Sequence, residues 1–166
     1  MPETLGIGVD LCAVSRMARA AEKEHFRNRV FTESERAYLQ SRGKGAGQSA
    51  AAMFAAKEAV AKALGTGFAQ GVMPWQIEVT HETGGKPGVL LTGAAKEAFD
   101  QIGGRSILLS LSHEGDTAIA FALIQLFTRL AGQAVKGEVH KPLVSGGGWG
   151  KAPTFPHGLA SPLRMA

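Results

Sequence analysis

The sequence of 166 residues predicts an α+β fold in which a small antiparallel sheet packs against a long alanine-rich helix. Three observations lead to this prediction. The chain starts with an alternating apolar segment, its first half contains an uninterrupted alanine-rich segment, and two apolar segments later flank a short polar turn. Strands joined by short turns, with the helices grouped apart from them, are typical of the α+β class.

The first element is predicted from alternation. Apolar side chains occupy every second position from Leu5 to Leu11, and two glycines and Asp10 lie between them, so residues 4–12 are expected to form a strand. The segment 14–23 follows with basic residues at helical spacing and is predicted to be a helix.

Capping signals define the next helices. Thr32 and Glu35 have the spacing of a capping box, which predicts a helix over residues 33–42. A flexible basic loop is expected at 43–47. The alanine-rich segment 49–64 then contains neither glycine nor proline, and Gly65 is suited to end this helix as its C-cap.

The second half of the chain predicts strands around one short helix. A strand, a glycine-proline turn and a second strand come first, followed by the helix and a hairpin that turns at residues 114–116. The predicted strands are 75–82, 89–92, 106–112 and 117–125. The glycine-proline turn is at 84–87 and the helix at 94–102.

The composition changes at about Thr128. Three consecutive glycines and four prolines between Pro142 and Pro162 are difficult to fit into regular elements. We therefore divide the chain into a domain at 1–127 and an irregular C-terminal tail at 128–166.

Composition excludes several classes of protein. No apolar run approaches the roughly 20 residues that a membrane span requires. The first residues lack a basic segment before the apolar one, so no secretory signal is predicted. The single cysteine, Cys12, excludes an internal disulfide and a thiolate metal site. A cytoplasmic location is the resulting expectation.

The charge suggests the chemistry of a partner. A net charge of +4 and a pI near 9.5 favour an acidic protein or a phosphorylated ligand. A nucleic-acid-binding domain is an alternative, but the cations are scattered and aromatic residues are few.

The alanine-rich helix carries the first candidate site residues. Glu58 and Lys62 lie one turn apart, within about 40° of each other around the helix axis. A solvated ion pair worth a few tenths of a kcal/mol is the simplest interpretation. Phe54 on nearly the same face and the surrounding alanines favour a ligand site instead, while Met53 lies on a different face that should pack on the sheet.

Asp10 is the second candidate, because an ionised carboxylate in an apolar strand requires a cation or hydrogen-bond donors. It could equally cap the following helix. Together with Glu58 it would form a two-carboxylate site for magnesium, which completes its octahedron with water and phosphate oxygens. Lys62 would then contact a phosphate.

A third candidate is Ser112-His113, at the end of a predicted strand, where functional side chains are often displayed. A lone histidine is more often structural. No nucleophile elbow accompanies it, and the short Gly65-Thr66-Gly67 turn is not a phosphate-binding loop.

Taken together, the motifs resemble the holo-acyl-carrier-protein synthases, the short class of 4′-phosphopantetheinyl transferases. They occur in the family's order and spacing over about residues 5–125. The motifs are Gly8-Val9-Asp10-Leu11, Phe31-Thr32-Glu33-Ser34-Glu35, the run from Phe54 to Ala63, Gly65-Thr66-Gly67, Gly85-Lys86-Pro87 and Leu111-Ser112-His113.

The resemblance implies an enzyme that moves the 4′-phosphopantetheine group of coenzyme A to a serine of an apo acyl carrier protein and releases 3′,5′-ADP. It also implies a 4′-phosphopantetheinyl transferase-like fold and a trimer with sites between subunits. Magnesium would be held by Asp10 and Glu58, which are catalytic together with Lys62. The remaining positions that match the coenzyme A site, besides Lys62, are Gly65, Lys86, Pro87, Ser112 and His113.

The resemblance further implies that Arg16 and Arg19 face an acidic carrier protein. One position departs from the family pattern: Met53 replaces a common arginine associated with nucleotide binding, and Arg42 or Lys44 is the candidate substitute. A non-catalytic coenzyme A or carrier-protein binding module is the alternative function.

Overall fold

The computed structural model describes residues 2–82 and 84–127 of the chain, so the predicted tail at 128–166 lies outside the described residues. The helices and strands follow in chain order: β1 (Pro2–Ala13), α1 (Val14–Glu22), α2 (Glu24–Val30), α3 (Glu33–Ser41), α4 (Ala46–Ala63), β2 (Ile77–His81), β3 (Pro87–Leu91), α5 (Gly93–Gln101), β4 (Ser106–Glu114) and β5 (Thr117–Phe127). None of the helices in these two ranges is both long and apolar enough to cross a bilayer.

The strands form two antiparallel sheets, which confirms the α+β prediction. In the larger sheet β5 lies between β1 and β4, and β2 pairs with β3 in a separate hairpin. Both hairpins were expected from the sequence. The pairing of β1 with β5 joins segments more than a hundred residues apart, and it brings the Asp10 strand beside the end of the described chain.

Helix α4 lies directly on the backbone of β1. A Cβ atom added to Gly6 would overlap the carbonyl oxygen of Ala63, and one added to Gly8 would overlap that of Ala59. These two glycines therefore serve close backbone packing of a helix on a strand. The contact places the C-terminal half of α4 over the segment of β1 that leads to Asp10.

Replacing Gly8 with alanine is expected to destabilise the fold by about 1–3 kcal/mol, because the new methyl group must displace helix backbone rather than a side chain. Gly45→Ala is the matched control. A Cβ there meets no atom within 4 Å and φ is −84°, so its effect should stay within about 0.5 kcal/mol. Urea denaturation measures both variants, and equal stabilities would contradict the packing argument.

The two faces of the larger sheet differ in what covers them. Its inner face packs on α4 through small side chains of β5, namely Ala118, Ala120 and Ala122. The outer face is largely apolar, and none of the described residues packs over it. Its exposed side chains, which we call the open face, are Ile7, Val9, Leu11, Leu108, Ile119 and Phe121.

Three predicted boundaries change in the structure. The helix predicted at 14–23 is α1, and a second helix, α2, follows it that the sequence analysis did not assign. The expected loop at 43–47 is a 3₁₀ turn that leads into α4 at Ala46. Trp75 lies in a second 3₁₀ turn, because Pro74 begins that turn and β2 starts only at Ile77.

Candidate active site

Lys62 and Asp10 form an ion pair between α4 and β1. The Nζ of Lys62 donates to the Asp10 Oδ1 at 2.8 Å and to the carbonyl oxygen of Val9 at 3.1 Å. The interpretation of Glu58 and Lys62 as a simple surface pair along the helix is therefore wrong, because the lysine points across to the strand. Hydrogen bonding to Asp10 raises the pKa of Lys62 and keeps it cationic.

Asp10 does not cap the following helix, which was the alternative for this residue. The N-cap of α1 is Ala13, which provides no side-chain cap. The first turn of α1 is capped instead by Asp116, which lies in the turn between β4 and β5. The carboxylate of Asp116 accepts hydrogen bonds from the backbone N–H of Ser15 at 2.7 Å and from its hydroxyl at 2.8 Å. Among the described residues, the carboxylate of Asp10 therefore pairs with Lys62.

Glu58 is half-buried beside this pair. Burial raises the pKa of the Glu58 carboxyl, the negative charge of Asp10 raises it further, and Lys62 opposes both effects. Two carboxylates that repel each other beside one lysine form an oxygen donor set for a hard cation. The described residues contain no group of three or more His, Cys, Asp or Glu side chains that could hold a metal. A two-carboxylate site nevertheless suits magnesium, which retains water and phosphate ligands.

A buried ion pair is formed by Lys57, the residue before Glu58, and was not predicted from the sequence. Lys57 Nζ is 2.8 Å from Oε2 of Glu35, and both side chains have no exposed surface. Lys57 also donates to the carbonyl oxygens of Pro74 and Ile77. The pair ties α4 to α3 and to the start of β2, so the second lysine of the motif, Lys62, is the one available to a ligand.

A cleft of about 410 Å³ opens on the other side of α4. It contains two of the predicted coenzyme A residues, Pro87 and His113, together with Met53. Its lining residues are Tyr38, Arg42, Gly45, Gln48, Ser49, Ala52, Met53, His81, Gly85, Pro87, Leu111 and His113. Arg42 lines the cleft, whereas the other candidate substitute for the family arginine, Lys44, does not.

The structure therefore divides the predicted site residues into two groups. Asp10 of β1 and Leu111 of β4 are both in register with Ala120 of the central strand, so they lie at opposite edges of the sheet. Two strand spacings separate them by about 10 Å, and α4 covers the strand between. Asp10, Glu58 and Lys62, which we call the candidate metal group, lie on one side of this helix, and the cleft is on the other.

Three further predicted residues belong to neither group. Gly65 ends α4 with φ +80°. Lys86 is exposed in the β2–β3 turn, with its Nζ 3.8 Å from Glu82. Ser112 pairs in register with Ile119 and shares the open face with it. The described part of the chain thus brings together Asp10, Glu58 and Lys62. Gly65 follows at the end of the same helix, where its N–H donates to the carbonyl oxygen of Lys62, and Lys86 and Ser112 lie on other elements.

The family comparison agrees with this fold and site. Residues 6–122 match the family model described as the 4′-phosphopantetheinyl transferase superfamily. This segment contains both carboxylates, Lys62 and the cleft. The chain therefore belongs to the 4′-phosphopantetheinyl transferase superfamily.

Curated relatives narrow the assignment. The chain is 50% identical over 121 residues to a holo-[acyl-carrier-protein] synthase of Desulforudis audaxviator, covering 72% of this chain and 91% of the relative. It is 46% identical over 129 residues to that of Gluconobacter oxydans, covering 73% of this chain and 82% of the relative. Within the superfamily the chain is thus an enzyme of the holo-[acyl-carrier-protein] synthase family, which confirms the resemblance.

Solved structures agree with the fold. The holo-[acyl-carrier-protein] synthase of Neisseria meningitidis superposes with a TM-score of 0.67 at 33% identity, over 74% of this chain and 98% of that one. The Helicobacter pylori synthase, determined in complex with coenzyme A, superposes with a TM-score of 0.62 at 28% identity, over 71% of this chain and 98% of that one.

Proposed function

We propose that this chain transfers the 4′-phosphopantetheine group from coenzyme A to a serine of an apo acyl carrier protein in a magnesium-dependent reaction. The observation that carries the proposal is the convergence of Asp10, Glu58 and Lys62 from β1 and α4. Relatives named as holo-[acyl-carrier-protein] synthases, and a relative crystallised with coenzyme A, support the same reaction. The products are the holo carrier protein and 3′,5′-ADP.

The residues of the candidate metal group have distinct roles in this proposal. Asp10 and Glu58 would hold magnesium, and Lys62 provides a cation for the pyrophosphate oxygens. Magnesium, when bound, neutralises charge on the phosphoryl group under attack. Glu58 takes the proton of the carrier serine, directly or through water, and burial together with the charge of Asp10 raises the pKa of its carboxyl, which makes it a stronger base.

Mass spectrometry of the carrier tests the function directly. The chain is incubated with coenzyme A, magnesium and an apo acyl carrier protein, and the intact mass of the carrier is measured. Transfer adds one phosphopantetheine group to the carrier. Binding of coenzyme A without any addition would instead establish the alternative, a non-catalytic binding module.

The separation of the two site groups supports a trimer with the active site between subunits. Coenzyme A would place its pyrophosphate at Asp10, Glu58 and Lys62 of one subunit and its nucleotide end in the cleft of a neighbour. The open face provides the surface for assembly, because exposed apolar patches of this kind mark protein interfaces. Ser112, which lies on that face, would then be brought to the interface.

Replacing Phe121 with lysine is expected to dissociate the assembly, because the charge would be buried against apolar side chains. Light scattering coupled to gel filtration should show the mass falling to that of the monomer, with loss of transfer. Leu90→Lys is the matched control, since Leu90 is an exposed apolar side chain of the other sheet. A Phe121→Lys variant that keeps the wild-type mass would contradict assembly through the open face.

The surface of α1 and α2 is the proposed docking site for the carrier protein. Arg16 and Arg19 are exposed on α1, as the prediction requires. The surface continues to α2, where Phe26 packs on Phe54 at a ring distance of 6.4 Å, one turn before Glu58. Arg29 and Trp75 then flank two apolar grooves, and no acidic side chain of the described ranges lies within 4 Å of Arg29. An acidic carrier helix suits this surface.

Reversing the charge at Arg29 is expected to raise the KM for the carrier about tenfold and to leave the KM for coenzyme A unchanged, because only docking is affected. The effect should shrink at high salt. The control is Arg105→Glu, the same charge reversal at an exposed arginine between α5 and β4. Equal effects of the two reversals would indicate general charge steering instead of a docking site.

A further inference from the structure

Asp116, in the turn between β4 and β5, holds the start of α1. Its carbonyl oxygen accepts a hydrogen bond from the N–H of Val14 at 2.8 Å. Its carboxylate accepts one from the backbone N–H of Ser15 at 2.7 Å and another from the Ser15 hydroxyl at 2.8 Å. The bonds from Ser15 hold the pKa of the Asp116 carboxyl below its ordinary value, and the nearby charge of Arg19 lowers it further. One residue of a distant hairpin thus fixes the first turn of this helix.

Helix α1 depends on this contact because its own sequence gives its start little support. Ala13 at the N-cap has no side chain that could accept a hydrogen bond, and the first turn contains no acidic residue. A helix of nine residues is also shorter than the length at which isolated helices become stable in water. Met17 is buried in the core, so packing holds the middle of α1 while Asp116 holds its start.

The first turn of α1 carries Arg16, which lies near the candidate metal group. The thiol of Cys12 indicates this position. Burial raises the pKa of the Cys12 thiol, Arg16 opposes this effect, and the charges of Asp10 and Glu58 add to it. Arg16 and both carboxylates therefore surround the same buried thiol. A displacement of the first turn of α1 would move the arginine relative to the two carboxylates.

We propose that Asp116 is a positioning residue for the transfer reaction, which acts by fixing the first turn of α1 and with it Arg16 at the carrier docking site. The inference rests on the proposed function, in which Arg16 and Arg19 face an acidic carrier protein. Docking must bring the carrier serine to about 3–3.5 Å from the phosphorus that it attacks. If the first turn frays, only a fraction of the molecules has Arg16 in place, and the apparent affinity for the carrier falls by that fraction.

Steady-state kinetics of Asp116→Ala test the positioning role. The KM for the apo carrier should rise about 3- to 10-fold, as expected for the loss of a helix cap, while kcat and the KM for coenzyme A stay unchanged. Asp116→Asn retains an oxygen that can accept from the N–H of Ser15, so it should keep the wild-type KM. Asp100→Ala, at an exposed aspartate of α5, is the control. Loss of folded protein would lower kcat without changing either KM, so a purely structural defect is recognised.

A double-mutant cycle tests whether Asp116 acts through Arg16. Arg16→Ala should raise the KM for the carrier in the otherwise wild-type chain. In the Asp116→Ala background the same substitution should have a smaller effect, because the arginine is no longer held in place. If the two effects simply multiply, the residues act independently, and the proposed action of Asp116 through the first turn of α1 is wrong.

The outcomes separate this inference from the proposed function. A wild-type chain that transfers nothing to any apo carrier would overturn the proposed function and the inference with it. A wild-type chain that transfers, together with an unchanged KM for the carrier in Asp116→Ala, would overturn the role of Asp116 alone. A KM that falls in both Asp116→Ala and Asp116→Asn would also overturn it, because the carboxylate would then act by shielding Arg19 from an acidic partner.

Discussion

Replacement of Glu58 with glutamine should abolish transfer to the carrier protein and leave the fold intact. The amide has nearly the same shape as the carboxylate, and Glu58 is only half-buried, so packing is preserved. The variant loses a negative metal ligand and the group that accepts the serine proton. Loss of a positioned base alone costs about 10²- to 10⁴-fold in rate.

The control for this experiment is Glu97→Gln, which makes the same change at an exposed position on α5. Circular dichroism and thermal melting establish that both variants are folded. Titration with magnesium separates weak metal binding from loss of the base, because saturating metal rescues only the former. Near-wild-type transfer by Glu58→Gln at saturating magnesium would exclude Glu58 as the base, and near-wild-type transfer at every magnesium concentration would exclude it from the reaction.

The second large effect is expected from Lys57→Met, which removes one partner of the buried ion pair. Glu35 would remain fully buried, with its charge no longer balanced by the Nζ of Lys57. Breaking such a pair on one side typically costs about 3–5 kcal/mol. Chemical denaturation measures the loss. Surviving folded protein should also show weaker transfer, because Glu58 is the next residue on the same helix.

Lys96→Met is the control for this substitution. Lys96 pairs with Asp100 along α5, and about half of its side chain is exposed, so its loss should change stability by less than about 1 kcal/mol. Equal stabilities of Lys57→Met and Lys96→Met would show that the pair of Lys57 with Glu35 does not hold α4 against α3 and β2.

Local signals were sufficient to predict most elements of the fold. The capping box at Thr32 and Glu35 is present in the structure, with reciprocal bonds between side chains and backbone. Helix α2 was missed because its N-cap, Lys23, provides no capping side chain, and its seven residues are too few for a clear period. Helices α1 and α4 also lack a capping side chain, but the spacing of the basic residues in α1 and the uninterrupted alanine-rich segment of α4 predicted them.

The contacts of the candidate site were predicted only in part. Asp10 was expected beside Glu58 of α4, whereas its observed hydrogen bond is to Lys62 of that helix, and this bond depends on the packing of α4 on β1, which no local pattern reveals. Glu35 shows the same limit. Its role as a cap was evident, whereas its bonds to Lys57 and to the backbone N–H of Val79 depend on tertiary packing. The trimer, the magnesium site and the cytoplasmic location stay predictions.

The contact of Gly6 and Gly8 with α4 has a consequence for how precisely the candidate metal group is positioned. Neither side of this contact has a side chain that can change rotamer, so its geometry is fixed by backbone alone and costs almost no side-chain entropy. Rotamer exchange, which loosens an ordinary core on heating, cannot occur at this contact. The spacing between the backbone segments that carry Asp10 and Glu58 should therefore vary little with temperature or with repacking elsewhere in the core.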